Sequence, residues 1–348
     1  MMRTITYCEA LKEATAYILE KHSNAFLYGI GVPDHTEIFG SVKGIYEQYG
    51  DRRCFDVPLC EDTLAGFGLG AALGGLTPIF INIRVDFLLL ALNQLANMIS
   101  SYQYMMNGSY PLPFVIRAVI GRGWGQGCQH SKSCQSIFAH IPGLKVVMPT
   151  TPSDAKGLLI SACEDMNPVV FIEHRWLYWQ EEEVQEGPFR STIGEGRVLR
   201  KGKDVTIVAT SWMNVETLKA ADILRRKAGV DVEIVDPRTI YPLDEQIIYE
   251  SVNKTHNCIV ADNDWTFCGF SSEVAALVSD NCFPSLENPV KRVGFKHTPC
   301  PTARHLENEF YPNSIEIIQC VQELLDLGSI DLLDEEFYSN ENRFKGPF

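Results

Sequence analysis

The sequence predicts an α/β fold: a mostly parallel sheet covered by helices on both faces, built twice along the chain. Three observations predict it. Short apolar runs rich in β-branched residues alternate with helical patterns through most of the 348 residues. One polar stretch with Gly and Pro, residues 178–200, breaks that alternation. The length itself suggests two domains, at roughly 100–200 residues each. The expected units are residues 1–190, residues 191–328 and a tail, 329–348.

Each element has a local reason. "NAFLYGIGV" and "TPIFINI" are apolar runs bounded by turn residues and read as strands, with a glycine-rich helix between them. "FLLLALNQLANMISSYQYMM" reads as one long helix. "PFVIRAVI" is a strand, and "LKVVMP" is a short one ended by Pro149. Ser153 reads as the N-cap of the helix "DAKGLLISACEDM", and "PVVFIEH" is the next strand. Residues 178–200 read as a linker or a hairpin. In the second unit, "VTIVAT", "VDVEIVD", "NCIVADN" and "VKRVGF" are strands. The amphipathic segments "NVETLKAADILRRKA", "PLDEQIIYESVNKT", "SSEVAALVSDN" and "SIEIIQCVQELLDL" are helices. The tail "DEEFYSNENRFKGPF" is charged and aperiodic, and is expected to be mobile or ordered only by a partner.

Composition excludes some functions. A net charge of −14 argues against a nucleic-acid surface, which needs basic patches. No apolar run reaches the ~18–20 residues of a membrane span. The N-terminal "MMRTITYCEALKEA" lacks the apolar core of a signal peptide, so a cytoplasmic location is expected. The 11 cysteines are scattered with no CxxC pair, which supports neither a zinc site nor a disulfide framework.

The stretch "DVPLCEDTLAGFGLGAALGG", residues 56–75, is the most informative. A dinucleotide fingerprint needs a strand running into GxGxxG and then a helix. Here Gly66, Gly68 and Gly70 alternate, and Pro58 and acids occupy the lead-in. A helix whose small residues pack closely on a sheet accounts for the spacing better. Glu61 and Asp62 then stand at its N-terminus. Either could simply favour the helix dipole, at ~0.3–1 kcal/mol. The alternative is an acid held in a dry crevice beside a cofactor nitrogen.

The longer segment "RRCFDVPLCEDTLAGFGLGAALGG" resembles the beta subunits of thiamine-diphosphate-dependent 2-oxoacid dehydrogenases of the pyruvate and branched-chain types. The resemblance extends through "RVDFLLLALNQLAN" and "GCQHSKSCQSIFAHIPGLKVVMPTTPSDAKGLLISACEDMNPVVFIEH". It continues in "GKDVTIVATSWMNVETLKAADIL", "VEIVDPRTIYPLD" and "HTPCPTARHLENEFYP", so that residues 3–327 stay in register. It implies a transketolase-like pyrimidine-binding domain followed by a transketolase C-terminal-like domain. It also implies a tetramer of two alpha and two beta chains with cofactor sites between chains. The alpha chain of that family brings a GDG…N motif for Mg²⁺ and the diphosphate; this chain has no such motif.

On this resemblance Glu61 bonds the N1′ nitrogen of the thiamine pyrimidine, so that the ring's 4′-nitrogen can take the thiazolium proton. Phe87 lies against the pyrimidine and Leu59 lines the cofactor. His130 is the proton donor or substrate contact, and His140 is structural. Read alone, Phe87 would be a core residue and His130 a polar loop residue. "ISACEDMNPVV" resembles a potassium loop whose ligands are backbone carbonyls of Phe114, Ala162, Asp165 and Asn167; a helix end entering a turn is the competing reading.

The chain also departs from the family. Gly29-Ile30-Gly31-Val32 and Thr36-Glu37 replace an acidic strand end with a glycine pair. Arg84 and Asp86 add charge to "INIRVDF", and Arg122 and Trp124 enter the substrate-side loop. A different acceptor or a bulkier acidic 2-oxo acid fits these changes. The tail lies near where the family docks a lipoyl acyltransferase core. The alternative function is a heteromeric carboligase, transferring a two-carbon unit to an aldehyde or keto sugar.

Overall fold

The computed structural model describes residues 1–34, 38–121 and 125–338. Thr36, Glu37, Arg122, Trp124 and the end of the tail lie outside the described residues. Along the chain the strands are β1 (Met2–Thr6), β2 (Ala25–Gly29), β3 (Cys54–Phe55), β4 (Thr77–Asn82), β5 (Val115–Ile120), β6 (Lys145–Val147) and β7 (Val169–His174). There follow β8 (Glu181–Gln185), β9 (Arg197–Arg200), β10 (Val205–Ala209), β11 (Val232–Asp236), β12 (Thr239–Tyr241), β13 (Cys258–Trp265) and β14 (Lys291–Phe295).

A seven-stranded sheet runs β12-β6-β7-β5-β4-β2-β3 and a five-stranded sheet β14-β13-β10-β11-β9. Both are parallel except for one antiparallel edge strand each, β12 and β9. Central strands such as β5 and β7 are buried along their whole length, which is why they read as apolar runs without alternation. Apolar clusters fill both faces of the larger sheet. β12 follows the second unit's β11 in sequence yet pairs with β6, so the two sheets are stitched through one short strand.

Four local readings change. The Tyr7–Lys21 helix, absent from the reading above, starts at a capping box in which Thr6 and Glu9 bond each other's backbone. The Pro152–Glu164 helix is capped by Thr151, not Ser153, because Pro152 suits the first helical position. Residues 178–200 form no hairpin: β8 pairs with β1, and β9 joins the second sheet. The long helix is interrupted. It runs as α-helix Val85–Leu88, a 3₁₀ turn Leu89–Ala91, a π segment Gln94–Ile99 and α-helix Ser100–Met105. Ser100 Oγ bonds back to the Ala96 carbonyl in this stretch, the kind of contact that bends helices.

The described part of the tail is docked on its own chain. Asp334 pairs with Lys227, and Glu335 accepts both bonds of the Arg226 guanidinium at 2.9 Å. Phe337 packs beside the second-domain core, and the Tyr338 ring lies 5.4 Å from that of Trp212.

A polar cluster joins the domains. Gln135 donates to Asp262 at 2.9 Å, and Ser136 donates to Asp264 at 3.0 Å. Burial pushes the Asp262 carboxyl up to about 6. Burial, and then the neighbouring Asp262 charge, push Asp264 up to about 7. A raised carboxyl stabilises the fold below its unfolded value of 3.8, and that stability is lost as pH rises through the folded value. Between pH 6 and 8 the melting temperature should therefore fall more for the native chain than for Asp264→Asn. Parallel melting curves for the two proteins would contradict this.

Candidate active site

The helix that carries Glu61 spans Glu61–Leu73. Its seat on the sheet depends on Gly68. A Cβ there would lie 2.3 Å from both the Phe114 ring and the Tyr28 hydroxyl. Tyr28 in turn donates to the Leu64 carbonyl at 2.9 Å. Close packing, expected for all the glycines of this helix, is thus the task of Gly68. A Cβ at Gly66 would meet only the Gln94 side chain, at 3.6 Å, and nothing lies within 4 Å of a Cβ at the exposed Gly70.

Glu61 is 6% exposed, at the first turn of this helix. Asp62 beside it accepts from Gln94 at 3.3 Å, which ties the helix start to the segment following Phe87. Leu59, two residues earlier, is 78% exposed and forms a lip. Phe87 is half-buried, and its ring meets the His130 imidazole edge-on at 5.2 Å. The structure therefore brings Phe87 and His130 into contact and ties their neighbourhood to the Glu61 helix. His140 is exposed at the end of the Gln135–Ala139 helix.

Buried polar atoms without partners mark the same region. They include both amide atoms of Asn82, Nη2 of Arg84, Oδ2 of Asp86 and Nδ1 of His130. Such atoms occur elsewhere in the chain as well, so what these five add is hydrogen-bonding capacity left open beside His130. Sequence reading missed Asn82 altogether; a polar residue ending an otherwise apolar strand was the available signal. A cavity of ≈450 Å³ opens between the domains beside the His130 loop, lined by Cys128, Gln129 and Lys132 on one side and Trp265, His297 and Phe310 on the other.

The four carbonyl candidates lie in two stitched segments. Leu112 N–H donates to the Met166 carbonyl, and Val169 N–H to that of Phe114, each at 2.9 Å. The Ala162 carbonyl accepts from Asp165 N–H at 3.4 Å. Each carbonyl has a second lone pair for an ion. The Asp165 side chain is engaged by Lys145 and by both nitrogens of Asn167.

The family profile described as "Transketolase, pyrimidine binding domain" matches residues 3–180, and "Transketolase, C-terminal domain" matches residues 194–317. The chain belongs to the transketolase family. Acetoin:2,6-dichlorophenolindophenol oxidoreductase subunit beta of Cupriavidus necator is 39% identical, over 84% of this chain and 86% of that protein. The 2-oxoisovalerate dehydrogenase subunit beta of Bacillus subtilis is 36% identical, over 93% of this chain and 100% of its own. Pyruvate dehydrogenase E1 component subunit beta of Rickettsia felis is 34% identical, over 92% and 98%. Among solved structures, a split-gene transketolase described as an inactive beta4 tetramer superposes with a TM-score of 0.74 over 93% of this chain and 99% of that one. At 22% identity that match shows the fold.

Two glycine substitutions test the packing account. Gly68→Ala should destabilise the chain by about 1–3 kcal/mol through overpacking. Gly70→Ala should stabilise it by about 0.5–1 kcal/mol, because alanine favours helix and the space is open. Urea denaturation of both variants reads the opposite signs.

Proposed function

We propose that this chain is the beta subunit of a thiamine-diphosphate-dependent 2-oxoacid dehydrogenase, supplying the pyrimidine half of a cofactor site shared with an alpha subunit. The observation that carries the reading is Glu61. Its side chain is 6% exposed at a helix start, no hydrogen bond or ion pair reaches it among the described residues, and its carboxyl oxygens are open to an incoming group. An acid in that condition lacks only a polar ring atom to bond. Residues 1–190 would form the pyrimidine domain and 191–328 the second domain, in the cytoplasm.

When bound, the cofactor supplies the carbon nucleophile and the electron sink that decarboxylation of a 2-oxo acid requires. The chain's residues do the rest. Glu61 would hold a pyrimidine nitrogen, and the dry setting would strengthen that bond. Phe87 would lie against the ring and Leu59 would close its rim. His130 would carry a proton to or from the substrate, as an imidazole can near neutral pH. Mg²⁺ and the diphosphate would be held by the alpha subunit. K⁺ would sit among the carbonyls of Phe114, Ala162, Asp165 and Asn167.

The partner is supported by the surface. Leu59 just before the Glu61 helix, Phe67 on it, and Leu90, Met98 and Tyr104 on the helical segment after Phe87 are exposed. An apolar face of that extent suits an obligate subunit contact, as in a tetramer of two alpha and two beta chains. An acyl group would pass to the lipoyl domain of an acyltransferase core. A second reading, two-carbon transfer to an aldehyde or keto sugar, has one observation behind it. Two relatives are named for acetoin, the product type of such a transfer.

Co-expression with an alpha-like chain and titration with thiamine diphosphate tests the proposal. Thiamine-dependent decarboxylation should appear only in the complex, and Glu61→Ala should lower it at least ~100-fold, the scale of a lost acid–base contact. Full activity of Glu61→Ala, or turnover by this chain alone, would overturn the shared site. Acylation of a lipoyl domain decides between the two acceptors.

A further inference from the structure

The turn from β4 into the Val85–Leu88 helix carries two charges that the proposed function leaves unused. Arg84 is 3% exposed. Its Nη1 donates to the carbonyl of Gly121 at 2.6 Å and to the carbonyl of His130 at 2.9 Å. These carbonyls stand at the two ends of the 121–130 segment. Nη2 is buried without a partner, and no ion pair reaches Arg84 among the described residues. On the other flank, Asp86 Oδ1 accepts from the backbone N–H of Lys132 at 3.3 Å and from its ammonium at 3.1 Å. One short turn therefore grips the loop at residues 121, 130 and 132, and its next residue, Phe87, touches the imidazole that the loop carries.

The bonds that Arg84 makes are to neutral carbonyls, and burial outweighs the favourable charges of Asp86 and Glu307 nearby, so its pKa is lowered. An apolar side chain would fill the space with no charge to desolvate. The charged fork adds geometry instead. A single nitrogen brings two carbonyls, distant in sequence, to one point, and a planar guanidinium holds that arrangement rigidly. Gly121 makes the approach feasible: its φ is +100°, and a Cβ there would lie 2.8 Å from the His174 ring.

We propose that Arg84 is a positioning residue for His130: by binding the carbonyls of Gly121 and His130 it holds the imidazole against Phe87, while Asp86 fixes the following residues through Lys132. The proposal rests on the reading of His130 as the proton carrier. The effect proposed for Arg84 is exerted through His130, and the double-mutant cycle separates it from a direct contact of the free Nη2 with a ligand.

A double-mutant cycle in the complex with the alpha subunit tests this. Arg84→Met should lower kcat by about 10- to 100-fold, the scale of a misplaced catalytic group, with KM for the 2-oxo acid nearly unchanged. Arg84→Lys, which keeps a charged donor, should recover part of the loss. In a His130→Ala background, Arg84→Met should cost nothing further, because the group it places is gone. In the chain alone, labelled at its 8 histidines, Arg84→Met should shift or broaden the His130 ring signal and leave in place those of the histidines other than His174, which lies beside Gly121. Additive losses would overturn the proposal, as would a raised KM at constant kcat or an unmoved His130 signal. Full activity of His130→Ala would instead overturn the proton-carrier reading, a separate result.

Discussion

The site depends on one contact, the meeting of a helix backbone with two aromatic rings at Gly68. Phe114 and Tyr28 occupy the space that any side chain at 68 would need. The contact fixes how near the Glu61–Leu73 helix sits to β2 and the chain entering β5, and hence how deep Glu61 is buried. Phe114 is itself held from behind, since its carbonyl accepts from Val169 N–H in the segment proposed to hold potassium. A short mechanical path thus leads from the 162–169 turn, through the Phe114 ring, to the helix that begins at Glu61. In the proposed enzyme an ion at that turn would act on the cofactor through packing, without touching it. Close-packed interiors transmit small displacements in this way because they have little free volume to absorb them.

Much of this was legible in the sequence. Strands such as "PFVIRAVI", apolar but for Arg117, announced a sheet buried on both faces, and the glycine-rich run was read as a helix, as it is, in preference to a phosphate loop. What stayed hidden has a common physical cause, namely partners distant in sequence. Nothing in "RTIYP" tells that β12 crosses to the first sheet, because its pairing with β6 is set by tertiary placement. The tail looked unstructured because it has no periodicity. Its described part is held by point contacts, Asp334 and Glu335 on the basic end of the Trp212–Ala228 helix, which leave no pattern in a one-dimensional reading. Arg84 looked like an added charge, and only the fold shows that it faces two carbonyls.

The exceptions to regular structure cluster where the chemistry is proposed. The helix after Phe87 changes its hydrogen-bond spacing to a π segment at Gln94–Ile99. Gln94, the first residue of that segment, reaches Asp62 next to Glu61. π segments reorient the residues that follow them and are frequent at functional sites. Here the change of spacing lets one helical stretch serve two neighbours, placing Phe87 against His130 at its start and binding the Glu61 helix farther on.

The β4 turn and the Glu61 helix hold the site in different ways, and the difference is informative. Glu61 is positioned by apolar close packing, which is insensitive to salt and pH and tolerates only small residues at 68. His130 sits on a loop with no regular structure of its own beyond one 3₁₀ turn, so packing cannot define it to the same degree. A loop of that kind needs directional bonds, and the turn supplies them through Arg84 and Asp86. A rigid acid set by packing and a proton carrier set by hydrogen bonds make a workable division. The first must keep one geometry throughout a reaction, whereas the second faces the substrate side and must admit it. The turn and loop also keep unpartnered buried atoms, on Asn82, Arg84, Asp86 and His130, whereas the helix seat at Gly68 has none.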